Sequence, residues 1–343
     1  MIVCGLNFGD EGKGLTTSFL CSITKNPLVV RFNGGHQAGH TVVYNGKHHV
    51  FSSLGSGTLQ GVPTYWSKYC TFYPTAFVNE IKLLDAFAFF INPLCPVVTP
   101  YDLQYNQKTA KENNHGSVGV GFGATIQRQE NNFNLFVQDL FYPKVLKAKL
   151  ENIRQYYDSS IDISNFLCDI DEVKNMITLC DDKIINNYNP IFEGAQGILL
   201  DQKFGFFPNV TRSNTTSQNA LELYPSKEIY YVTRSYLTRH GNGYLPDEFH
   251  IDLKNNKLET NKTHEYQGYF RTARLNTELM NYSLQCDHYF SHGLKKNLVI
   301  TCIDQLNIDI EKVVCELKLK FNNIYTSSGN SFNNIIRIKT TNG

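Results

Sequence analysis

The chain opens on an apolar run, "MIVCGLNF", that passes directly into "GDEGKG" at residues 9–14 and then into "LTTSFL". A strand, a glycine turn carrying a lysine, and a helix in that order constrain the fold strongly. Such a unit belongs to a parallel sheet, and parallel sheets are stable when helices cover both faces. Further short runs, "LVVRF", "CPVVTP", "EIYYVTRSY" and "LVITCID", read as buried strands. Candidate helices fall between them at 15–25, 76–90, 144–157, 171–188, 217–223 and 275–285. The alternation predicts an α/β fold with a mostly parallel central sheet flanked by helices. Polar stretches at 103–115 and 252–264 read as exposed loops, and the terminal "KTTNG" as frayed.

At 343 residues the length permits one or two domains. A formal net charge of +1 with 18% charged residues gives no reason to expect nucleic acid or an anionic membrane as partner. No apolar run approaches the roughly eighteen residues that span a bilayer, and no leader-like segment opens the chain. The nine cysteines form no C-x-x-C pair, which fits reduced thiols in a cytoplasmic protein.

Glycine-rich segments carry the chemistry. In "GLNFGDEGKGLTT", residues 5–17, Gly12 and Lys13 fit the end of a G-x-x-x-x-G-K-[ST] phosphate loop. The strict pattern fails at Asn7 and at Gly14, although strand, loop and helix follow in the right order. A glycine turn with a surface lysine is the simpler reading, but neither reading accounts for Asp10 and Glu11, two carboxylates that should repel a polyanion. In "RFNGGHQAGHTVV", residues 31–43, the glycines let a backbone approach a ligand closely. His36 and His40 are four apart, but a metal pair at that spacing needs a helix, which these glycines deny. A single histidine on a rigid loop suits a proton donor; an ordinary loop histidine is the alternative.

"HGSVGVGFGATIQRQ", residues 115–129, offers amides, Ser117 and Thr125 to an anion, and Arg128 offers a guanidinium fork. "FEGAQGILLDQKFGFFPNVTRSNTT", residues 192–216, ends in a cluster from Thr211 to Thr216 that either caps a helix or holds a polar ligand.

In this order the segments resemble the adenylosuccinate synthetase family. Its signatures run close to GDEGKGK, GG-N-AGHT, GTTGRGIGP, and FEGAQG-LLD followed by P-VTSSNTT. Here they stand as "GDEGKGL", "GGHQAGHT", "GSVGVGFGA" and "FEGAQGILLDQKFGFFPNVTRSNTT". The resemblance implies one α/β catalytic domain over 1–343, distantly related to P-loop GTPases and usually dimeric. The implied reaction joins L-aspartate to IMP with GTP and Mg²⁺, giving adenylosuccinate, GDP and phosphate.

The resemblance also implies roles. Asp10 would take the proton from purine N1 so that O6 attacks the γ-phosphate, with Mg²⁺ and Lys13 offsetting the repulsion among the anions. His40 would stabilise the transferred group and then act as acid, and Gln196 would hold the base or O6. GTP would be bound by Gly9, Glu11, Gly12, Lys13, Gly14, Gly39, His40 and Thr41, with Asp304 and Gly329 at the guanine. IMP would meet Asp10, Gln37, Ser117, Val118, Arg128, Gln196, Thr211 and Arg239. Mg²⁺ would be held by Asp10 and the Gly39 carbonyl, and L-aspartate by Arg271 and Arg274.

Several positions depart from the family pattern. Cys302 replaces a lysine that stacks on guanine, and Gln37 replaces an asparagine. The segment "LTRHGNG" stands where the family has TTRVGAG, and the arginine-rich aspartate loop is reduced to "YQGYFRTARLN". The arginine that reaches IMP phosphate from a neighbouring subunit is absent at its usual spacing, with Arg128 as the expected stand-in. Two alternatives accompany the leading reading: a ligase acting on dGMP, and a guanine-nucleotide-binding protein without ligase chemistry.

Overall fold

The computed structural model describes residues 1–85, 87–113, 117–254, 266 and 268–338. The expected loop at 252–264 lies mostly, and the tail at 339–343 wholly, outside the described residues. The strands are β1 (Ile2–Gly5), β2 (Pro27–Arg31), β3 (His40–Tyr44), β4 (Lys47–Phe51), β5 (Thr64–Trp66), β6 (Phe89–Ile91) and β7 (Thr178–Leu179). They continue with β8 (Asn189–Gly197), β9 (Glu228–Arg234), β10 (Tyr236–His240), β11 (Phe270–Arg274), β12 (Lys295–Thr301), β13 (Asn323–Ser327) and β14 (Ile335–Ile338). The helices are α1 (Lys13–Ile23), α2 (Pro74–Ile81), α3 (Pro100–Asn113), α4 (Phe122–Glu130), α5 (Pro143–Tyr156), α6 (Ser164–Val173), α7 (Gln218–Leu223), α8 (Thr277–Ser291) and α9 (Ile310–Glu316).

Ten strands form one sheet in the order β14-β13-β12-β9-β1-β8-β2-β5-β6-β7. Every neighbour pair in it is parallel except β13–β14. Alternate residues of β1 show why its run is apolar throughout. Ile2 and Cys4 pack with Leu28, Val30, Tyr231 and Leu298 beneath Met280 and Leu284 of α8. Val3 faces the other way, onto Val29, Val232, Val299 and Leu20 of α1. Each fully buried aliphatic side chain of this kind contributes about 1.5–3 kcal/mol. A separate apolar cluster joins Trp66, Phe72, Phe77 and Phe89 to α5 and α6. The antiparallel pairs β3–β4 and β10–β11 stand outside the large sheet.

The expected α/β class and the strands at β1, β2, β9 and β12 are observed, but some local expectations are corrected. "CPVVTP" is no strand; it makes only isolated bridges, Phe72 to Val97 and Pro96 to Phe136. The helix expected over 76–90 stops at Ile81, and Phe89–Ile91 is β6. The helix expected over 171–188 lies earlier, as α6, and is followed by β7 and a short 3-10 turn at Asp182–Asn187. The stretch 103–115, expected as loop, is helical through Asn113. Its polarity masked a run without glycine or proline after Pro100, and proline is favoured in a first helical turn.

Candidate active site

The C-terminal ends of β1, β8 and β9 open onto a cavity of about 930 Å³. Crevices at that edge of a parallel sheet are the usual ligand sites of α/β folds. Gly9 and Gly12 adopt left-handed φ of 95° and 93°, and so does Asp10 at 55°. A side chain on Gly12 would press within 2.8 Å of Thr301 in β12. This tight turn leaves the N-terminus of α1, with no acidic residue in its first turn and no side-chain cap, beside the cavity. Its free amides and positive dipole end suit an anion. Gly14 has its own reason: a Cβ there would lie 2.8 Å from the His40 Cβ. The position that a strict phosphate loop gives to a hydroxyl is therefore packed against His40.

Asp10 projects into the cavity, partly exposed, with its Oδ2 3.0 Å from His240 Nε2. Its backbone carbonyl accepts from Arg234 Nε, and the Gly9 carbonyl accepts from Thr238 Oγ1 at 3.2 Å. The loop is thus held by β9 and β10. Burial alone would raise the Asp10 carboxyl, but the His240 contact, with Arg234 and Lys13 beyond it, holds it below the usual range. Glu11 adjoins the cavity as expected. Its side chain turns inward, 2% exposed, and accepts from the Asn7 amide at 2.6 Å. Burial, opposed by Lys13 and Asn7, pushes this carboxyl up to about 7. The second carboxylate braces the loop from behind, with Lys13 Nζ 3.9 Å away.

His40 begins β3 and lies 7% exposed on the cavity wall, its Nδ1 2.9 Å from Glu193 Oε1. Burial lowers the His40 pKa further than Glu193 raises it. Burial would raise Glu193, yet His40, Arg31 and Ser56 hold its carboxyl at about 2. Arg31 stands opposite Glu193 in the β2–β8 register and is fully buried. His36 does not join His40; its ring meets Tyr73 at 5.0 Å and is absent from the cavity wall.

Gln196, at φ 63°, donates through Nε2 to Thr211 Oγ1 at 3.0 Å, while its Oε1 is buried without a partner. Both amide atoms of Gln37, another cavity-lining residue, are also buried and unpaired. Unsatisfied buried amides are uncommon and mark places where a ligand supplies the missing bonds. Non-glycine residues in the left-handed region, as at Asp10 and Gln196, likewise concentrate at functional sites. Thr41 and the Gly39 backbone complete the β3 side. Ser117 and Val118 line the far side, where Asn106 and Gln107 of α3 pin the turn: Asn106 Oδ1 accepts from Gly121 N at 3.0 Å, and Gln107 Nε2 donates to the Gly119 carbonyl at 3.2 Å.

The expected arginines behave differently. Arg128 is corrected: fully buried, it binds Asp102 Oδ1 at 2.9 Å, the Val97 carbonyl at 2.8 Å and the Phe133 carbonyl, and points away from the cavity. Arg239 lines the cavity, but its nitrogens donate to the carbonyls of Asn242, Tyr244 and Asn209, so it closes loops. Arg271 is clamped on Glu248 at 2.6 Å and on the carbonyls of Gly241 and Gly243. Arg274 covers the Phe249 ring at 4.9 Å. Neither forms part of the cavity wall, and Arg271 is held by loop groups instead. Asp304 and Gly329 also lie off the wall, beside each other. Ile303 N donates to the Ser327 carbonyl, and Ser327 Oγ donates to the Gly329 carbonyl.

Sequence reasoning missed Glu193, His240 and Arg234 as site residues, and took Arg212 only as a member of the Thr211–Thr216 cluster. Glu193 had a signal, a lone carboxylate inside an apolar strand; His240 and Arg234 are visible only through what they touch. Among the described residues no three His, Cys, Asp or Glu side chains cluster as metal ligands. Asp10 alone, part-exposed beside an anion-ready helix end, fits a hard cation that takes one carboxylate and fills its remaining positions with phosphate and water. Among the described residues no helix is long and apolar enough to cross a membrane.

Comparison with known proteins fits this site. The adenylosuccinate synthetase family profile matches residues 2–316. The adenylosuccinate synthetase of Buchnera aphidicola subsp. Baizongia pistaciae is 33% identical over 285 residues, covering 74% of this chain and 66% of its own length. Adenylosuccinate synthetase 1 of Pseudoalteromonas translucida is 30% identical over 348 residues, covering 90% and 79%. The fold matches a fully ligated adenylosuccinate synthetase from Plasmodium falciparum with a TM-score of 0.81 at 19% identity, over 98% of this chain and 99% of that one. It matches the cyanophage S-2L succinoaminodeoxyadenylate synthetase, bound to dGMP and to dATP as energy donor, with a TM-score of 0.74 at 15% identity, over 99% and 95%. With its profile spanning nearly the whole sequence and its glycine-rich segments meeting at one cavity, the chain belongs to the adenylosuccinate synthetase family.

Proposed function

We propose that this chain is a C–N ligase that joins L-aspartate to IMP at the expense of GTP, releasing adenylosuccinate, GDP and phosphate. The observation that carries this reading is the meeting of Asp10, His40 and Gln196 on the walls of one cavity, beside the N-terminus of α1. A nucleotide binder without chemistry has no use for a part-exposed carboxylate held ionised next to a phosphate loop.

In this reading the α1 amides and Lys13 hold the triphosphate. Gln196 uses its unpaired Oε1 and its Thr211-anchored amide to orient the purine, and Gln37 binds the nucleotide through its own unpaired amide. Asp10 leaves His240 and takes the N1 proton, which makes O6 the nucleophile toward the γ-phosphate. His40, backed by Glu193, donates toward the transferred group and then toward the departing phosphate. Mg²⁺, held by Asp10 and the Gly39 carbonyl together with substrate phosphates, would supply charge neutralisation. Asp304, three residues beyond the Thr301 that faces Gly12, and Gly329 would contact the guanine. The chain works as one catalytic unit in the cytoplasm, where its nine free cysteines stay reduced, and pairs as a homodimer.

The test supplies purified protein with GTP, Mg²⁺, L-aspartate and either IMP or dGMP, and follows phosphate release and adduct formation. Turnover with IMP is expected. Turnover with dGMP alone would overturn the substrate assignment, and nucleotide binding without turnover of either would overturn the ligase reading.

A further inference from the structure

The cations around the cavity are not equivalent. Lys13 is 4% exposed and sits beside Glu11. Arg234 is engaged by the Asp10 carbonyl and the Tyr236 hydroxyl, and Arg239 by loop carbonyls. Arg128, the expected phosphate contact, is locked to Asp102 in the interior. Among the described cations on the wall, Arg212 differs. It follows Thr211 directly, lines the cavity, and is 48% exposed in its side chain. Its guanidinium makes one described ion pair, Nη1 to Glu130 Oε2 at 3.1 Å, with a carboxylate that is itself 63% exposed.

That pair is built to exchange. Exposed ion pairs contribute little because water solvates both partners. Glu130 also ends α4, where the helix dipole disfavours a carboxylate. Arg212 meanwhile faces Gly123, whose Cβ would lie 3.9 Å from the arginine Cδ, at the start of α4. That helix begins at an uncapped Gly121, with no acidic residue in its first turn. Ser117, Val118 and Thr211 also line the cavity. A dianion placed between Thr211 and the start of α4 would accept from a planar fork and from first-turn helix amides together, whereas Glu130 accepts from Arg212 through a single nitrogen.

We propose that Arg212 binds the 5′-phosphate of the purine nucleotide, exchanging Glu130 for it. The chain thereby supplies from its own cavity wall a guanidinium that the family pattern takes from a neighbouring subunit. In that pattern the residue after the threonine is serine, so Arg212 departs from it. This inference rests on the proposed purine-monophosphate substrate.

Calorimetric titration of the full chain with IMP and with inosine, which lacks the phosphate, separates the two claims without requiring turnover. For Arg212→Ala the expectation is an IMP affinity about ten- to hundredfold weaker, the worth of a charge-assisted contact, with inosine affinity unchanged. Glu130→Gln should tighten IMP by about two- to fivefold, since it removes a competing exposed carboxylate. An Arg212→Ala loss that is equal for IMP and inosine, or absent for both, overturns the proposal. Wild-type protein that binds neither compound overturns the substrate reading as well. Both substituted residues are exposed, so matched thermal melts are expected to show intact folds.

Discussion

Two histidine–carboxylate pairs flank the cavity at nearly the same separation, His40–Glu193 at 2.9 Å and His240–Asp10 at 3.0 Å, and their surroundings differ. Glu193 is fully buried between β2 and β3, with Arg31 opposite and the Ser56 amide at 3.2 Å. Asp10 is 29% exposed on a glycine turn, and its partner comes from a separate hairpin strand. In the first pair the histidine faces the cavity and the carboxylate fixes it from behind. In the second both groups line the cavity, and the carboxylate is the more exposed of the two. The same contact is a permanent support when desolvated and a displaceable one when water reaches it.

This contrast can be broken experimentally. Asp10→Asn removes the proposed base while keeping its shape, so kcat should fall by about 10² to 10⁴ with thermal stability little changed; phosphate-release kinetics and a melt check both. Glu193→Gln should lower kcat about ten- to hundredfold, because His40 loses its orienting charge. The same change strands buried Arg31 and should destabilise the fold by about 3 kcal/mol in urea titrations at neutral pH. The sign with pH follows from the carboxyl sitting at about 2 in the fold against an ordinary 4.5. The stabilisation is fully present above about 4.5 and is lost as pH falls through about 2, so the variant's deficit should shrink in acid. His240→Val restores the residue of the family pattern and touches only the displaceable pair. It should change kcat by less than about tenfold with no stability loss beyond about 1 kcal/mol. A collapse of either quantity on this change would erase the distinction between the pairs.

Much of the cavity was legible because its residues sit in short glycine-rich strings whose spacing is local. Asp10, Lys13, Gln37, His40, Ser117, Gln196 and Thr211 were all readable, and all face or adjoin the cavity. Arg128 misled because nothing within α4 reveals that Asp102, 26 positions earlier, lies beside it. Arg271 misled in the same way, since its partner Glu248 lies 23 positions earlier. A guanidinium reads alike whether it awaits a ligand or is already satisfied. Helix α3 was hidden by polarity, although it carries the Asn106 that pins the turn before α4.

The amino-acid order alone determined the alternating strands and helices, the apolar β1 run into a glycine turn, and the identity of the groups able to do proton and phosphate chemistry. Those depend on residue type and on spacings of a few positions, which local sterics and burial periodicity control. Tertiary structure decided which charges remain available. It turned Glu11 inward, closed Arg128 onto Asp102, set Glu193 behind His40 and left Arg212 at the mouth on an exchangeable partner. Pairing is a matter of distance and desolvation between residues far apart in the chain, and only the folded sheet brings those partners together.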